Sequence, residues 1–145
     1  MNELLQFLHE QIPLTKSLGL QIVSIDEQGT RVRAPLAPNH NHLGGAFGGS
    51  LATMMILSGY IQIYHSLRKR NLHAHVILSR EESKYLLPVK TDIEVFALAP
   101  SAEEWKKFEE GIARKGVARI QIRSVISQGD SLAAEFSGEF VARIA

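Results

Sequence analysis

Residues 38–60 read "PNHNHLGGAFGGSLATMMILSGY", and the reading of this stretch decides the fold. Four glycines, Gly44, Gly45, Gly48 and Gly49, fall within six residues, with histidines before them and an apolar run after them. The run Leu51–Tyr64 contains Ser58, Gly59 and Gln62 and covers fourteen residues. A bilayer span needs about 20, so the run predicts a buried helix rather than a membrane segment. That helix extends from about Phe47 to Arg70, with Phe47–Leu67 as its central part, and closes on the cations of "RKRN", which suit a helix C-terminus. Apolar on nearly every face, it has to be wrapped on most sides by the rest of the chain.

Working outward, the remainder reads mostly as strands. Leu18–Ile25 and Thr30–Leu36 are joined by the turn-like "DEQG", and His75–Tyr85 and Thr91–Leu98 are separated by "LLPV". Val117–Ser127 alternates, with Ile120, Ile122 and Ile126 on one face. Leu132–Ala142 alternates likewise, with Leu132, Ala134, Phe136 and Phe140 on one face, and "SQGD" between the two is a hairpin turn. Two shorter helices complete the pattern. Asn2–Gln11 is amphipathic and stops before Pro13, and Ser101 with Glu104 forms a capping-box signature ahead of "AEEWKKFEEGI". The sum is an α+β domain: an antiparallel sheet of about six strands, curled around one long central helix.

Composition narrows the function classes. The chain has 145 residues, one domain by length, with 45% hydrophobic and 21% charged residues. Its 16 basic and 15 acidic side chains give a net charge of +1 without a basic stripe, so nucleic acid is not an expected partner. The absence of cysteine excludes disulfides and thiolate catalysis. "MNELLQFLHEQIPL" lacks a basic leader region, which points to a cytoplasmic protein with no membrane attachment.

The chemistry concentrates where the glycines meet the helix. The first amide N–H groups of a helix have no intrahelical acceptor, and they favour anions and polarise carbonyl oxygens. Gly48 and Gly49 at that position suit an oxyanion developing on an acyl group. Phosphate binding of the Walker kind fails because Ser50 stands where that motif needs lysine.

The order strand, Asn41-x-x-Gly44-x-x-Phe47-Gly48-Gly49, buried helix, antiparallel remainder resembles the hotdog-fold thioesterases. Within them it is similar to the thioesterase family of the YiiD C-terminal type. That family carries an "N-x-N-x-x-G-T-x-F-G-G-S-L" loop where this chain has "NHNHLGGAFGGSL", with Gly45 in place of Thr. Later matches are "KYLLPV" (Lys84–Val89) and "KGVARIQI…GEFVA" (Lys115–Ala142). The resemblance implies a hydrolase acting on acyl-CoA or acyl-carrier-protein thioesters, without a cofactor other than the CoA or phosphopantetheine of the substrate. It implies that the Asn41 amide orients the thioester or the water, that the Gly48 N–H polarises the carbonyl, and that Phe47, Gly49, Ser50 and Tyr85 contact substrate. Arg114 and Lys115 are the expected phosphate cations. A homodimer or a dimer of dimers is expected, because an exposed edge strand is satisfied by its twin.

One departure stands out. The resemblance to related hotdog thioesterases implies a carboxylate about two turns into the helix, at the position of Ile56, and this chain has no Asp or Glu between Phe47 and Arg70. His42 is the expected substitute base, with Glu81 and Glu82 as further candidates. A non-catalytic acyl-thioester binder is the alternative. The pairs His40/His42 and His73/His75 have strand spacing that places two rings on one face, as some metal sites need; the expectation is nonetheless that no metal is bound. Asn41→Ala, as a change to a loop side chain, is expected to affect folding little.

Overall fold

The computed structural model describes residues 2–145. Helix α1 (Asn2–Gln11) and a short α2 (Leu14–Leu18) precede strands β1 (Gln21–Asp26) and β2 (Gly29–Ala34). A 3-10 turn (Ala37–Asn39) and the glycine loop lead into α3 (Gly48–Lys69). Then follow β3 (Ala74–Tyr85), β4 (Ile93–Leu98), α4 (Ala102–Lys115), β5 (Val117–Gln128) and β6 (Ser131–Ile144). The six strands form one antiparallel sheet in the order β1-β2-β4-β5-β6-β3.

Helix α3 packs against β2, β3, β4, β5 and β6, so the sheet closes around it. Met54, Met55, Ile61 and Ile63 are fully buried, as are Ile93, Ile122 and Phe140 among the strand residues. The approach is closest at Gly59, where a Cβ would stand 2.8 Å from the Phe140 ring. Two buried hydrogen bonds fix how the helix sits along the sheet. Thr30 Oγ1 on β2 donates to Gln62 Oε1 at 2.6 Å, and the hydroxyls of Ser58 and Ser124, on α3 and β5, are 2.8 Å apart. Near the C-terminal end of α3, Tyr64 stacks on Phe7 of α1. This is the hotdog arrangement expected from the sequence. Among the described residues, no helix is long and apolar enough to cross a membrane.

Three expectations change. Leu18 does not open a strand: it ends α2, which turns back through Gly19 (φ +76°), and β1 begins only at Gln21. Leu36 lies beyond β2, in the turn that Asp92 Oδ1 holds by accepting from the Leu36 N–H at 2.9 Å. Leu132 does not share the buried face of Ala134 and Phe136. The β5–β6 register shifts between Ile126 and Ser127, so Ala133 and Ala134 are both buried while Leu132 is left 37% exposed. The capping box at Ser101 and Glu104 is formed as expected.

The sheet has two ends, and they matter for function. One carries the glycine loop, the start of α3, the end of β3 at Tyr85 and the β5–β6 turn, tied together by Ala46 N–H to Val89 O and by Leu86 N–H to Ala133 O. The other carries the end of α3, the start of β3, the end of β6 and the α4–β5 junction.

Two outcomes follow from these contacts. Gln62→Leu should destabilise the fold by about 1–3 kcal/mol, since it leaves the Thr30 hydroxyl buried without an acceptor. Adding Thr30→Val should recover most of that loss in denaturant unfolding, and a fully additive double variant would show that the pair does not interact. The second outcome concerns Asp92, whose carboxyl is held below the usual range by the Leu36 N–H first and the Arg33 guanidinium second. A depressed carboxyl contributes stability above its unfolded pKa and loses it as pH falls through the folded one. Asp92→Asn should therefore lower Tm near neutral pH, with the gap to the parent closing below about pH 4.

Candidate active site

The loop between the 3-10 turn and α3 is built around Asn41. Its Oδ1 accepts from the N–H of Leu43 at 2.8 Å and of Gly45 at 3.2 Å. Its backbone N–H donates to Gly45 O at 2.7 Å, and its own carbonyl accepts from Gly44 N–H at 3.2 Å. The closure requires Gly44 at φ +82°, a left-handed conformation costly for other residues. The side chain of Asn41 is therefore a structural centre of the loop as well as a candidate ligand, and its Nδ2 makes no hydrogen bond among the described residues. The expectation that removing it leaves folding untouched holds for the core but not for this loop.

The loop delivers the chain to an uncapped helix. Phe47 is the N-cap of α3, in extended conformation, and no side chain caps the helix. Phe47 N–H is taken by Asn39 O, and Ser50 and Leu51 N–H by Phe47 O. The N–H groups of Gly48 and Gly49 have no protein acceptor among the described residues. Apart from its chain neighbours and the helix's own backbone, no atom lies within 4 Å of the place where a Gly48 Cβ would stand. Two free amides thus carry the positive end of a 22-residue helix, and Gly48 borders open space.

That space is a cleft of about 450 Å³ lined by Asn41, Gly48, Leu51, Tyr85, Leu87 and Lys90, with Leu43, Gly45, Ala46, Leu86, Pro88 and Val89 completing the wall. Clefts of about 390 Å³ on the outer sheet face and about 440 Å³ beside the end of α3 are comparable in size, but neither holds an unpaired helix terminus. Size does not choose between them; the free amides do.

Of the expected site residues, the structure brings together Asn41, Gly48 and Tyr85. Phe47 is 57% exposed, and neither it nor Gly49 or Ser50 lines the cleft, although all three adjoin Gly48 in the chain. His42 is exposed beside Asn41 and does not line it. Arg114 and Lys115 lie at the opposite end of the sheet, about 30 Å away by strand length along β5, and do not join the cleft within one chain. Glu81 and Glu82 are exposed on β3, with Glu81 Oε2 accepting from Ser83 Oγ at 2.6 Å. The His40/His42 and His73/His75 pairs sit at opposite ends of the sheet, and no group of three or more His, Asp or Glu converges among the described residues.

Among the described residues, the cleft is lined by no carboxylate and no imidazole; Tyr85 and Lys90 are its titratable groups. Ile56 is partly buried on α3, one turn before Tyr60. Burial, and then Tyr64 beside it, push the Tyr60 hydroxyl above the usual tyrosine range, so it provides no base at neutral pH. The sequence reading missed the wall formed by Leu86, Leu87, Val89 and Lys90. Its signal was two adjacent leucines, Leu86 and Leu87, left outside any strand and more than 40% exposed in the fold.

The family model described as "Putative thioesterase (yiiD_Cterm)" matches residues 1–144. Among solved structures, a Chlorobaculum tepidum protein of unknown function is 27% identical, with a TM-score of 0.94 over 99% of this chain and 94% of its own. A Shewanella oneidensis protein described as a putative thioesterase is 26% identical, with a TM-score of 0.84 over 99% of this chain and 96% of its own. A Pseudomonas aeruginosa protein, 24% identical, shares the fold with a TM-score of 0.82 over 100% of this chain and 97% of its own.

The two roles of Asn41 separate by substitution. Asn41→Asp keeps the Oδ1 acceptor and should leave amide exchange at Leu43 and Gly45 slow. Asn41→Ala removes it and should speed exchange at both by about tenfold, as expected for a lost hydrogen bond of about 1 kcal/mol or slightly more. Equal exchange in the two variants would show that the side chain does not hold the loop.

Proposed function

Because the chain belongs to the YiiD C-terminal thioesterase family, we propose that it hydrolyses acyl thioesters of CoA or an acyl carrier protein in the cleft beside Gly48. The observation that supports this reading best is the free amide of Gly48, at the uncapped start of α3, beside a cleft with a largely apolar wall. A thioester carbonyl oxygen directed at the Gly48 N–H gains more as its negative charge grows, which is the condition for lowering the barrier rather than merely binding. Leu43, Leu51, Leu86, Leu87 and Val89 offer the acyl chain an apolar surface, and the free Nδ2 of Asn41 donates to the carbonyl or holds the water. Water oxygen adds to the carbonyl carbon, the carbon–sulfur bond breaks, and the thiolate takes up the proton that water has lost.

The proton needs an acceptor in transit. His42, at the rim and next to Asn41 in the chain, serves that role in this reading, with Glu81 and Glu82 on β3 as the acidic candidates. The protein acts as a homodimer, or as a pair of such dimers. The outer edge of β3 presents a strand of 12 residues with no partner among the described residues, long enough to pair with its copy. A second reading, a binder that does not turn over, is favoured by the absence of a carboxylate from the cleft. Thiol release from a panel of acyl-CoA thioesters decides: binding without release selects the second reading.

Gly48→Val should melt within a few degrees of the parent, because the added side chain enters open space. It should lower kcat/KM by about 10²–10³-fold by displacing the carbonyl from the amide, the cost typical of one lost oxyanion donor. Unchanged hydrolysis by a folded Gly48→Val variant would remove the helix terminus from the mechanism.

A further inference from the structure

A second cleft, of about 440 Å³, opens beside the C-terminal turns of α3. Its other walls are the end of β1 with the β1–β2 turn and the segment that runs from β4 into α4. It lies on the β1-β2-β4 side of the sheet, away from the open edge of β3. From Gly48 to Ser66 along α3 is about 27 Å, so a ligand here does not touch the Gly48 terminus.

Several polar groups of this cleft lack partners. Gln62, only 4% exposed, forms part of its wall. Its Oε1 accepts from Thr30 Oγ1 at 2.6 Å, which fixes the amide, and its Nε2 meets a single acceptor, Ala97 O, at 3.5 Å. One buried N–H of Gln62 is therefore unmatched among the described residues. Arg70 is committed to Ser66 and Glu109, which leaves Lys69 as the free cation on α3. The β1–β2 turn contributes Asp26 and Glu27. Asp26 Oδ1 accepts from the N–H groups of Gln28 and Gly29 and so holds the turn. Among the described residues neither carboxylate has an ion-pair partner, and neither does Lys69, although all three line one cleft. Between them is His65, whose ring is held below the usual histidine range by burial and next by Lys69, so it is neutral at neutral pH. Ile25, Pro100 and Trp105 supply apolar surface.

We propose that this cleft binds a free α-amino acid with an apolar side chain. Its carboxylate meets the Gln62 N–H and Lys69, its ammonium meets Asp26 and Glu27, and its side chain lies against Trp105 and Ile25. A zwitterion satisfies both sets of charges, whereas an ion of one sign satisfies one set and is repelled by the other. A carboxylate oxygen at a buried N–H gains a charge-assisted hydrogen bond where little water competes. The inference stands apart from the thioester reading, because it uses none of the groups at Gly48.

Trp105 is the one tryptophan of the chain, so its fluorescence reports from the cleft itself. Titration with L-leucine or L-phenylalanine at low salt should change Trp105 emission and saturate. N-acetyl-leucine, which lacks the ammonium, and leucinamide, which lacks the carboxylate, should each bind about tenfold more weakly. Lys69→Met should weaken leucine by about tenfold and leave leucinamide unaffected. Asp26→Asn/Glu27→Gln keeps the Oδ1 acceptor of the turn; it should weaken leucine by about tenfold and leave N-acetyl-leucine unaffected. All three positions are exposed, so each variant should melt within a few degrees of the parent. The side-chain amide resonance of Gln62 should shift when leucine is added. Unchanged Trp105 emission with both amino acids would overturn the proposal. So would equal binding of leucine and either blocked form, or leucine binding that folded charge variants leave intact.

Discussion

The structure depends on burying α3. An apolar helix of 22 residues is unstable in water by itself, and its surface is removed from water only by a sheet that curls around it. Five strands do so, and the curl leaves no room for a side chain at Gly59, where helix and Phe140 meet. Hydrophobic burial has no direction, so it does not by itself fix how far along the sheet the helix sits. The two buried polar contacts supply that: Gln62 with Thr30 and Ser58 with Ser124 resist slip, because a displaced helix would leave Thr30, Gln62 and Ser124 without these partners in the core, whereas Ser58 keeps its bond to Met55 O.

Fixing the helix fixes the site. Once α3 is held against the sheet, its N-terminus has one position, and the Asn41 loop and the residue 85–90 segment are both hydrogen-bonded to neighbours that share it. The amides of Gly48 and Gly49 are therefore held in advance of any ligand. Preorganisation of this kind is what makes a donor effective toward a developing charge, since no reorganisation accompanies the reaction. The rigidity of the core and the readiness of the site have one cause.

The same topology keeps the cleft apolar. It is lined mainly by aliphatic side chains, with Lys90 as its one cation and Tyr85 as its one aromatic ring among the described residues.

Much of the fold was legible in the sequence. The Leu51–Tyr64 run has no polar face to turn to solvent, the strands alternate, and the capping box at Ser101 is local chemistry that needs no tertiary help. Misreadings fell where a longer-range contact overrode the pattern, as at Leu18, drawn into α2, and Leu132, shifted by a bulge against β5. For the site, the sequence by itself determined that a glycine-rich, uncapped helix start follows an asparagine, since residue type decides backbone freedom and capping. Only the tertiary structure decided that Asn41 Oδ1 is committed to the loop, that Leu86, Leu87 and Lys90 face Gly48, and that Arg114 and Lys115 do not. Those facts depend on which strand ends meet, and strand pairing is set by burial across the whole chain rather than by any window of it.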